Sequence, residues 1–272
     1  MSVTGLRGKS IATGAFLIRG AFLSLGVTIA IAATAAEPSK GLDNPFFAYS
    51  VNVPEQVLKE LGYTPLRNLY VGIHLDKQPA YSPELESQIR KLKGTNTIFW
   101  LTVHGNRTRD SDAKAVELIR RLAAVADESA VKIALYPHTG FYVATARDAL
   151  RIVKAVDRKS VGVTVNLCHE LMQDNGDQLP QILEEAAPHL LVVTVNGADR
   201  KAKGQAIGWD RIIQPLGKGD FDTYGFLKKV KAIGFQGPIG LQCYGLKGEP
   251  RVHLAQSIKA WQEYRRRLAA EK

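Results

Sequence analysis

Histidine residues recur in this sequence at or just after the ends of short apolar segments. Four of the six histidines follow this pattern: His74, His104, His138 and His169. The imidazole group titrates near neutral pH, so it serves as a general acid or base, and it also binds Zn. We interpret His138 and His169 as candidate catalytic residues. His74 and His104 are candidate ligands for a substrate or for a soft metal ion.

Uncharged polar side chains stand at the ends of three later apolar segments, at Asn166, Asn196 and Gln242. A side-chain amide both donates and accepts hydrogen bonds and carries no charge, which suits it to bind hydroxyl groups. Tyr136 and Asp199 occupy comparable places in the sequence. We expect all of these residues to contact a substrate.

Eight apolar segments typical of β-strands alternate with segments of helical pattern. The predicted strands are Phe46–Asn52, Leu69–Leu75, Thr97–His104, Lys132–Tyr136, Val161–Leu167, Leu190–Asn196, Ile212–Leu216 and Pro238–Tyr244. The predicted helices are Pro54–Gly62, one beginning at Ser82, Asp112–Ala130, Thr145–Val156, Asp177–Ala187, Thr223–Ile233 and Val252–Ala270. Most of the strands are continuous apolar runs, as in a parallel sheet buried on both faces.

This alternation predicts an α/β fold, a single (β/α)8 TIM barrel, over residues 37–272. A length of about 250 residues is typical of that fold. The Gly-rich motif of a doubly wound nucleotide-binding sheet does not follow the first strand. In a TIM barrel the carboxyl ends of the strands and the loops after them build the active site. The histidines and amides are therefore expected to line one mouth of the barrel.

Residues 1–36 have the composition of a secretory signal peptide. Basic residues precede an uncharged stretch over residues 20–36, and Ala33-Thr34-Ala35 fits the A-x-A cleavage pattern. The alternative is an uncleaved anchor, since about 17 apolar residues are the lower limit for a membrane span. Either interpretation predicts export of the barrel, to the periplasm or outside the cell, with membrane contact only if the leader is retained.

The net charge, the two cysteines and two of the tryptophans allow further predictions. The formal net charge of +10 is interpreted as solvated surface charge, because no DNA- or RNA-binding module is visible. Cys168 and Cys243 lie in or beside apolar segments and predict two buried free thiols rather than a disulfide. Trp209 and Trp261 are interpreted as packing aromatics.

Four segments resemble the xylose-isomerase-like TIM barrel superfamily, which includes sugar-phosphate isomerases and epimerases and the family-2 apurinic endonucleases. The segments are Val161–His169, Leu191–Asp199, Pro215–Asp222 and Gly234–Gln242. They resemble the fifth strand, the sixth strand, a Gly-containing loop ending in Asp, and the eighth strand of that family. The resemblance implies an isomerase or epimerase acting on a small carbohydrate, with a homodimer as one option for assembly.

The resemblance also implies a metal site, at which this sequence departs from the family. The family holds one divalent cation, often Mn or Mg, between Glu, Asp, His and Glu of strands four, five, six and eight. Here strand four has Tyr136 and His138 with no carboxylate, and Asn166, Asn196 and Gln242 replace the other ligands. Ligands without an anion hold hard cations poorly. Mn, Mg or Zn is therefore expected only if the altered site, with His138 and His169, still binds a metal.

Two functions stay open from the sequence. One is an enzyme of the isomerase class acting on a sugar or sugar acid, with His138 and His169 as base and acid and Glu170 assisting. The other is an exported, non-catalytic carbohydrate-binding protein. A nuclease like the apurinic branch is disfavoured, because its carboxylates are missing, so we expect no nucleic-acid partner.

Overall fold

A computed structural model describes residues 41–95 and 97–271 of the chain. The predicted leader, residues 1–36, lies outside the described residues. The strands are β1 Phe46–Tyr49, β2 Arg67–His74, β3 Thr97–His104, β4 Ile133–Leu135, β5 Val161–Asn166, β6 Leu190–Val195 and β7 Ile239–Gln242. The helices are α1 Glu55–Leu61, α2 Leu85–Lys91, α3 Ser111–Glu128, α4 Ala146–Val156, α5 Leu167–Met172, α6 Leu179–Ala186, α7 Trp209–Ile212, α8 Thr223–Ala232 and α9 Pro250–Ala270.

The strands form one parallel sheet in the order β1-β7-β6-β5-β4-β3-β2. Strands that follow one another from β2 to β7 are neighbours in space, because the helices between them carry the chain back along the outside of the sheet. The sheet curls with helices between its strands. This is the α/β TIM barrel architecture that the sequence predicts.

Alternation of side chains along the strands divides the core into two layers. Residues such as Phe46 and Phe99 pack outward with the helices. Their neighbours form a second buried cluster, which consists of Phe47, Tyr49, Trp100, Ala134, Tyr136 and Val192. Because successive strand residues point to opposite faces, this second cluster is the barrel interior. Its rings are in contact, with centroids 4.7 Å apart for Tyr49 and Trp100 and 4.9 Å apart for Trp100 and Tyr136.

Local signals in the sequence explain where the outer helices begin and pack. At the start of α4 the Thr145 hydroxyl accepts the N–H of Asp148, whose carboxylate accepts the N–H of Thr145 in return. This capping box satisfies backbone groups that the helix leaves unpaired. In α9 the indole of Trp261 stacks on Phe46 with centroids 4.1 Å apart, so its interpretation as a packing residue is confirmed.

The segment Ile212–Leu216, predicted as a strand, has a different structure. α7 covers its first residue, and Gln214 forms an isolated antiparallel bridge with Gly197. Pro215 has no N–H to donate to a strand ladder, and Gly219 soon after has a φ of 80°, outside the range of strands. The prediction of a strand here was wrong, although the predicted barrel fold is confirmed.

The remaining predicted strands coincide with strands of the structure. Thr97–His104 has the predicted bounds, whereas Lys132–Tyr136 shortens to Ile133–Leu135. Within the described ranges, no helix combines the length and apolar character needed to cross a bilayer.

Both cysteines are buried and unpaired, as the sequence predicts. Cys168 lies in α5 directly after β5, and Cys243 directly follows β7. Burial raises the pKa of each thiol to about 12. Both therefore stay in the unreactive protonated form at neutral pH.

Candidate ligand-binding site

A cavity of about 640 Å³ opens at the carboxyl ends of the strands. Its lining is aromatic, imidazole-rich and otherwise mostly polar: Tyr49, Ser50, Asn68, Tyr70, Trp100, Tyr136, His138, Thr139, His169, Met172, Trp209, Ile213, Gln242 and Tyr244. None of these described lining residues is Asp, Glu, Lys or Arg. The cavity thus carries no formal charge as long as its histidines are neutral.

Two tyrosines and an amide meet at the floor of this cavity. The hydroxyls of Tyr49 and Tyr136 lie 3.3 Å apart, and Gln242 Nε2 donates to Tyr136 Oη over 3.3 Å. Gln242 Oε1 accepts the backbone N–H of Tyr244 at 3.0 Å, so both ends of the amide are engaged. Burial raises the pKa of both phenols well above the ordinary value, so both remain neutral hydroxyls.

Asn166 lies at the end of β5 and is completely buried. Its Oδ1 accepts hydrogen bonds from Thr194 Oγ1 at 2.8 Å and from Cys168 Sγ at 3.2 Å. Its Nδ2 has no partner among the described residues. The oxygen that would have to ligate a cation therefore already accepts hydrogen bonds within the barrel wall.

Asn196 and Asp199 organise the loop that follows β6. Asn196 is buried, and its Nδ2 donates to two backbone carbonyl oxygens at 2.8 and 2.6 Å. Asp199 accepts from Gln214 Nε2 at 2.8 Å and forms an ion pair with Arg211. These two contacts, the first being the larger, lower the pKa of Asp199. Asn196 and Asp199 both lie outside the set of residues that line the cavity.

Glu170 is buried and connects α5 to the start of α4. Its carboxylate accepts the backbone N–H of Ala146 at 2.6 Å and the side-chain amide of Asn175 at 2.6 Å. Ala146 is the first residue of α4, where helices leave N–H groups unpaired and favour a negative charge. These contacts explain Glu170 as a helix-stabilising residue.

Six rings form a continuous row along the barrel mouth. In order they are His74, His104, Phe141, His138, His169 and Trp209, with successive centroid distances of 4.4, 3.8, 4.0, 4.2 and 5.2 Å. The structure therefore brings together the four histidines singled out from the sequence. Burial lowers the pKa of His104 to about 4 and of His169 to about 3, and it also lowers the pKa of His138. These three imidazoles are neutral at neutral pH.

The outer part of the row depends on a glycine that the sequence did not single out. Thr102 Oγ1 donates to the carbonyl oxygen of Val71 at 3.2 Å and lies 2.9 Å from His104 Nε2. A Cβ atom on Gly72 would lie only 2.7 Å from that same nitrogen. Gly72 therefore leaves the space that the His104 ring occupies.

The inner part of the row is tied together by the backbone of Thr139. Its N–H donates to His169 Nδ1 at 3.1 Å, and its carbonyl oxygen lies 2.8 Å from His138 Nδ1. One peptide segment therefore holds both candidate catalytic residues, and both line the cavity.

Tyr70, Trp209 and Tyr244 add further aromatic rings to the lining of the cavity. Tyr70 and Tyr244 are 46% and 65% exposed, which is unusual for large rings and leaves their faces open to a ligand. Trp209 packs partly against the core, as predicted, and also lines the cavity 5.2 Å from His169. Tyr70 precedes His74 by four residues on β2, so the two-residue period of a strand puts both side chains on the same face of the sheet.

The chain resembles known proteins in sequence and in fold. A family model described as a xylose isomerase-like TIM barrel matches residues 59–266. No curated protein sequence matches significantly. The structure of 3-keto-D-glucoside 4-epimerase from E. coli has a TM-score of 0.63 at 16% identity, covering 81% of this chain and 99% of that one.

Two further solved structures show the same fold. A xylose isomerase domain protein from Alicyclobacillus acidocaldarius subsp. acidocaldarius has a TM-score of 0.61 at 16% identity, covering 84% of this chain and 99% of its own. L-ribulose 3-epimerase has a TM-score of 0.58 at 13% identity, with coverage of 84% and 87%. Because the family model spans more than half of the sequence, this chain belongs to the xylose isomerase-like TIM barrel family.

Proposed function

We propose that this protein binds a small neutral carbohydrate in the barrel mouth and lacks the metal-dependent isomerisation of its family. The observation that carries the proposal is the cavity lining, in which aromatic rings, neutral imidazoles, hydroxyls and amides occur without a charged side chain among the described lining residues. Aromatic faces pack against the apolar face of a sugar ring, and amides and imidazoles hydrogen bond to its hydroxyls.

The side chains that could act as metal ligands at the mouth do not suit a hard divalent cation. The side-chain oxygens of Asn166 and Gln242 each accept a hydrogen bond from within the protein, and the phenol of Tyr136 stays protonated. Mn and Mg prefer carboxylate oxygens, and a neutral site does little to offset the loss of the ion's water. Among the described residues, no group of three or more His, Cys, Asp and Glu is arranged to hold a metal ion.

The volume of the cavity and the lack of charge in its described lining limit the class of ligand. A cavity of about 640 Å³ is in the range of small-molecule sites and accommodates a monosaccharide. Two of the similar structures are named as epimerases of a 3-keto-D-glucoside and of L-ribulose, and neither name includes a phosphate or an acid group. The sugar acid expected as an alternative fits less well, because the lining offers no cation to its carboxylate.

A second candidate is an isomerase that uses His138 and His169 without a metal. One observation favours it: the two imidazoles lie in the cavity with centroids 4.2 Å apart. Their lowered pKa values weigh against it. A base of low pKa removes a proton from carbon poorly, and a neutral imidazole holds no readily released proton to return.

Titration calorimetry on the purified protein tests the proposal. Methyl β-D-glucopyranoside, D-xylose and D-ribulose serve as probes, and at least one is expected to bind with a Kd of about 1 mM or tighter, near −4 kcal/mol. Tyr244→Ala, which removes an exposed ring of the lining, is expected to weaken binding about fivefold, or roughly 1 kcal/mol. Val252→Ala, similarly exposed at 56% on α9, is the matched control and leaves binding unchanged.

Metal titration and product analysis decide between the two functions. MnCl2 and MgCl2 are expected to show no binding tighter than about 100 μM. NMR spectra of D-xylose and D-ribulose incubated with the protein are expected to show no isomer. Turnover that His138→Ala and His169→Ala abolish would establish the second candidate instead, and turnover that requires added Mn would contradict the proposal.

A further inference from the structure

The contacts of Thr139 determine which nitrogen of each neighbouring imidazole carries a hydrogen atom. A backbone N–H can only donate, and a carbonyl oxygen can only accept. His169 Nδ1, which faces the N–H of Thr139 at 3.1 Å, must therefore present a lone pair. His138 Nδ1, which faces the carbonyl oxygen of Thr139 at 2.8 Å, must carry a hydrogen atom.

The two remaining nitrogens then have opposite hydrogen-bonding character. A neutral imidazole carries a single N–H, so His169 has its hydrogen on Nε2, and His138 has a bare acceptor at Nε2. Within residues 41–95 and 97–271, neither Nε2 atom has a hydrogen-bond partner. Both residues line the cavity, so one donor and one acceptor are available side by side to a ligand.

Packing keeps this pair in place. Phe141 stacks on His138 with centroids 4.0 Å apart and an interplanar angle of 16°. The rings of Trp209 and Tyr136 make edge-to-face contacts with His169, with centroids 5.2 and 5.9 Å away. Rings held on both sides cannot turn over without breaking these contacts, so the donor and the acceptor are oriented before a ligand arrives.

We propose that His138 and His169 form a hydroxyl-recognition pair, in which ligand hydroxyl groups accept from His169 Nε2–H and donate to His138 Nε2. This inference rests on the proposed carbohydrate binding and specifies the group that the site selects. A hydroxyl both donates and accepts, whereas a carboxylate or a phosphate dianion only accepts and would face the lone pair of His138. The pair therefore selects a hydroxyl group over a carboxylate or a phosphate dianion at the position that faces it.

Long-range 1H–15N correlation spectra of the 15N-labelled protein test the hydrogen positions directly, and six histidines make assignment practicable. Near neutral pH we expect His169 protonated on Nε2 and His138 protonated on Nδ1. The tightest binder among methyl β-D-glucopyranoside, methyl β-D-galactopyranoside and methyl α-D-mannopyranoside is expected to shift both Nε2 signals. Inorganic sulfate, which only accepts hydrogen bonds, is expected to leave them unchanged, and glucuronate is expected to shift them less than the glycoside at the same concentration.

Asparagine substitutions remove one half of the pair at a time. The amide of Asn occupies roughly the place of Nδ1, so His138→Asn and His169→Asn keep the bonds to Thr139 and lose the group at Nε2. Each is expected to weaken binding of the glycoside about three- to tenfold. Glutamine at either position places an amide near Nε2 and is expected to restore part of the affinity. His189→Asn, before β6 at the opposite end of the barrel, is the control.

The possible failures are distinguishable. Reversed hydrogen positions, unchanged glycoside affinity in both asparagine variants, or glucuronate binding tighter than the glycosides would overturn the inference while leaving carbohydrate binding intact. If none of the three glycosides binds at about 10 mM, the proposed function fails and the inference fails with it. Should a variant not fold, the hydrogen positions and ligand shifts of the unsubstituted protein decide the question alone.

Discussion

Gln242 donates a hydrogen bond from Nε2 to the hydroxyl of Tyr136 at 3.3 Å, on the floor of the barrel mouth. Both groups are neutral, and both occupy strand ends at which the family resemblance implies metal-binding carboxylates. The contact gives the floor a polar network without negative charge. Restoring that charge should therefore change both stability and metal affinity.

The double substitution Asn166→Asp and Gln242→Glu tests this expectation. Buried carboxylates without a partner destabilise the fold, so we expect the free energy of unfolding to fall by about 2–4 kcal/mol. Added MnCl2 should recover part of the loss, because an ion that binds only the folded state stabilises it. Urea denaturation with and without MnCl2 measures both effects. The unsubstituted protein is the control, and stabilisation of it by MnCl2 would show that the amides already hold the ion.

Gly72→Ala is expected to destabilise the barrel by about 1–3 kcal/mol, as overpacked core substitutions do. The added methyl would lie 2.7 Å from His104 Nε2 and 3.2 Å from Thr102 Oγ1, so the His104 ring must move. Chemical denaturation measures the change. In a His104→Ala background the same substitution should cost much less, and equal costs in the two backgrounds would disprove the steric explanation.

Stability should fall as the solution becomes acidic. The folded pKa values of His104 and His169, about 4 and about 3, lie below the value of about 6.5 expected for unfolded histidine. Between these values the unfolded chain binds more protons than the folded chain, so stability is complete above about pH 6.5 and is lost as the pH falls toward 4 and 3.

We expect a loss on the order of 2 kcal/mol between pH 7 and pH 5, after allowing for the partial exposure of His104. Urea denaturation followed by tryptophan fluorescence at the two pH values measures it. His169→Asn has no proton to gain at this position and should show a smaller loss. An identical pH dependence in the two proteins would count against a buried, neutral His169.

Glu170→Ala is expected to reduce the free energy of unfolding by about 1–3 kcal/mol, because it leaves the N–H of Ala146 and the amide of Asn175 without their acceptor. Sugar affinity should be unchanged, since Glu170 lies outside the cavity lining. Denaturation and calorimetry on the same sample separate the two effects. Loss of binding in a stably folded variant would return Glu170 to the candidate site.

The strands could be predicted because a parallel strand buried on both faces has a continuous apolar sequence. The same reasoning failed at Ile212, Ile213 and Leu216, which are all buried although this segment is not a strand. Apolar composition reports burial, whereas backbone conformation there is governed by Pro215 and the glycines after it.

The site was only partly predictable, for a related reason. Histidines at strand ends were expected to meet at one mouth once the barrel was recognised. The ring contacts connect all four, but only His138 and His169 line the cavity, and His74 and His104 lie outside its lining. Asn196 and Gln242 occupy equivalent places in the sequence, at the ends of predicted strands. Asn196 nevertheless donates to backbone carbonyl oxygens, whereas Gln242 lines the cavity. Thr139 contacts the two histidines through its backbone N–H and carbonyl oxygen. Because nearly every residue has these groups, the side-chain pattern of the sequence could not predict the contacts.

Cys168 and Cys243 are the two cysteines of the chain, and both are buried. Their reaction with a thiol reagent can therefore report transient opening of the barrel. A thiol reagent can modify only those molecules whose barrel wall has transiently separated, so the alkylation rate measures how often that happens. A ligand that binds the closed barrel must slow this modification. Occupancy of the mouth can thus be followed without labelling the ligand or knowing its identity in advance.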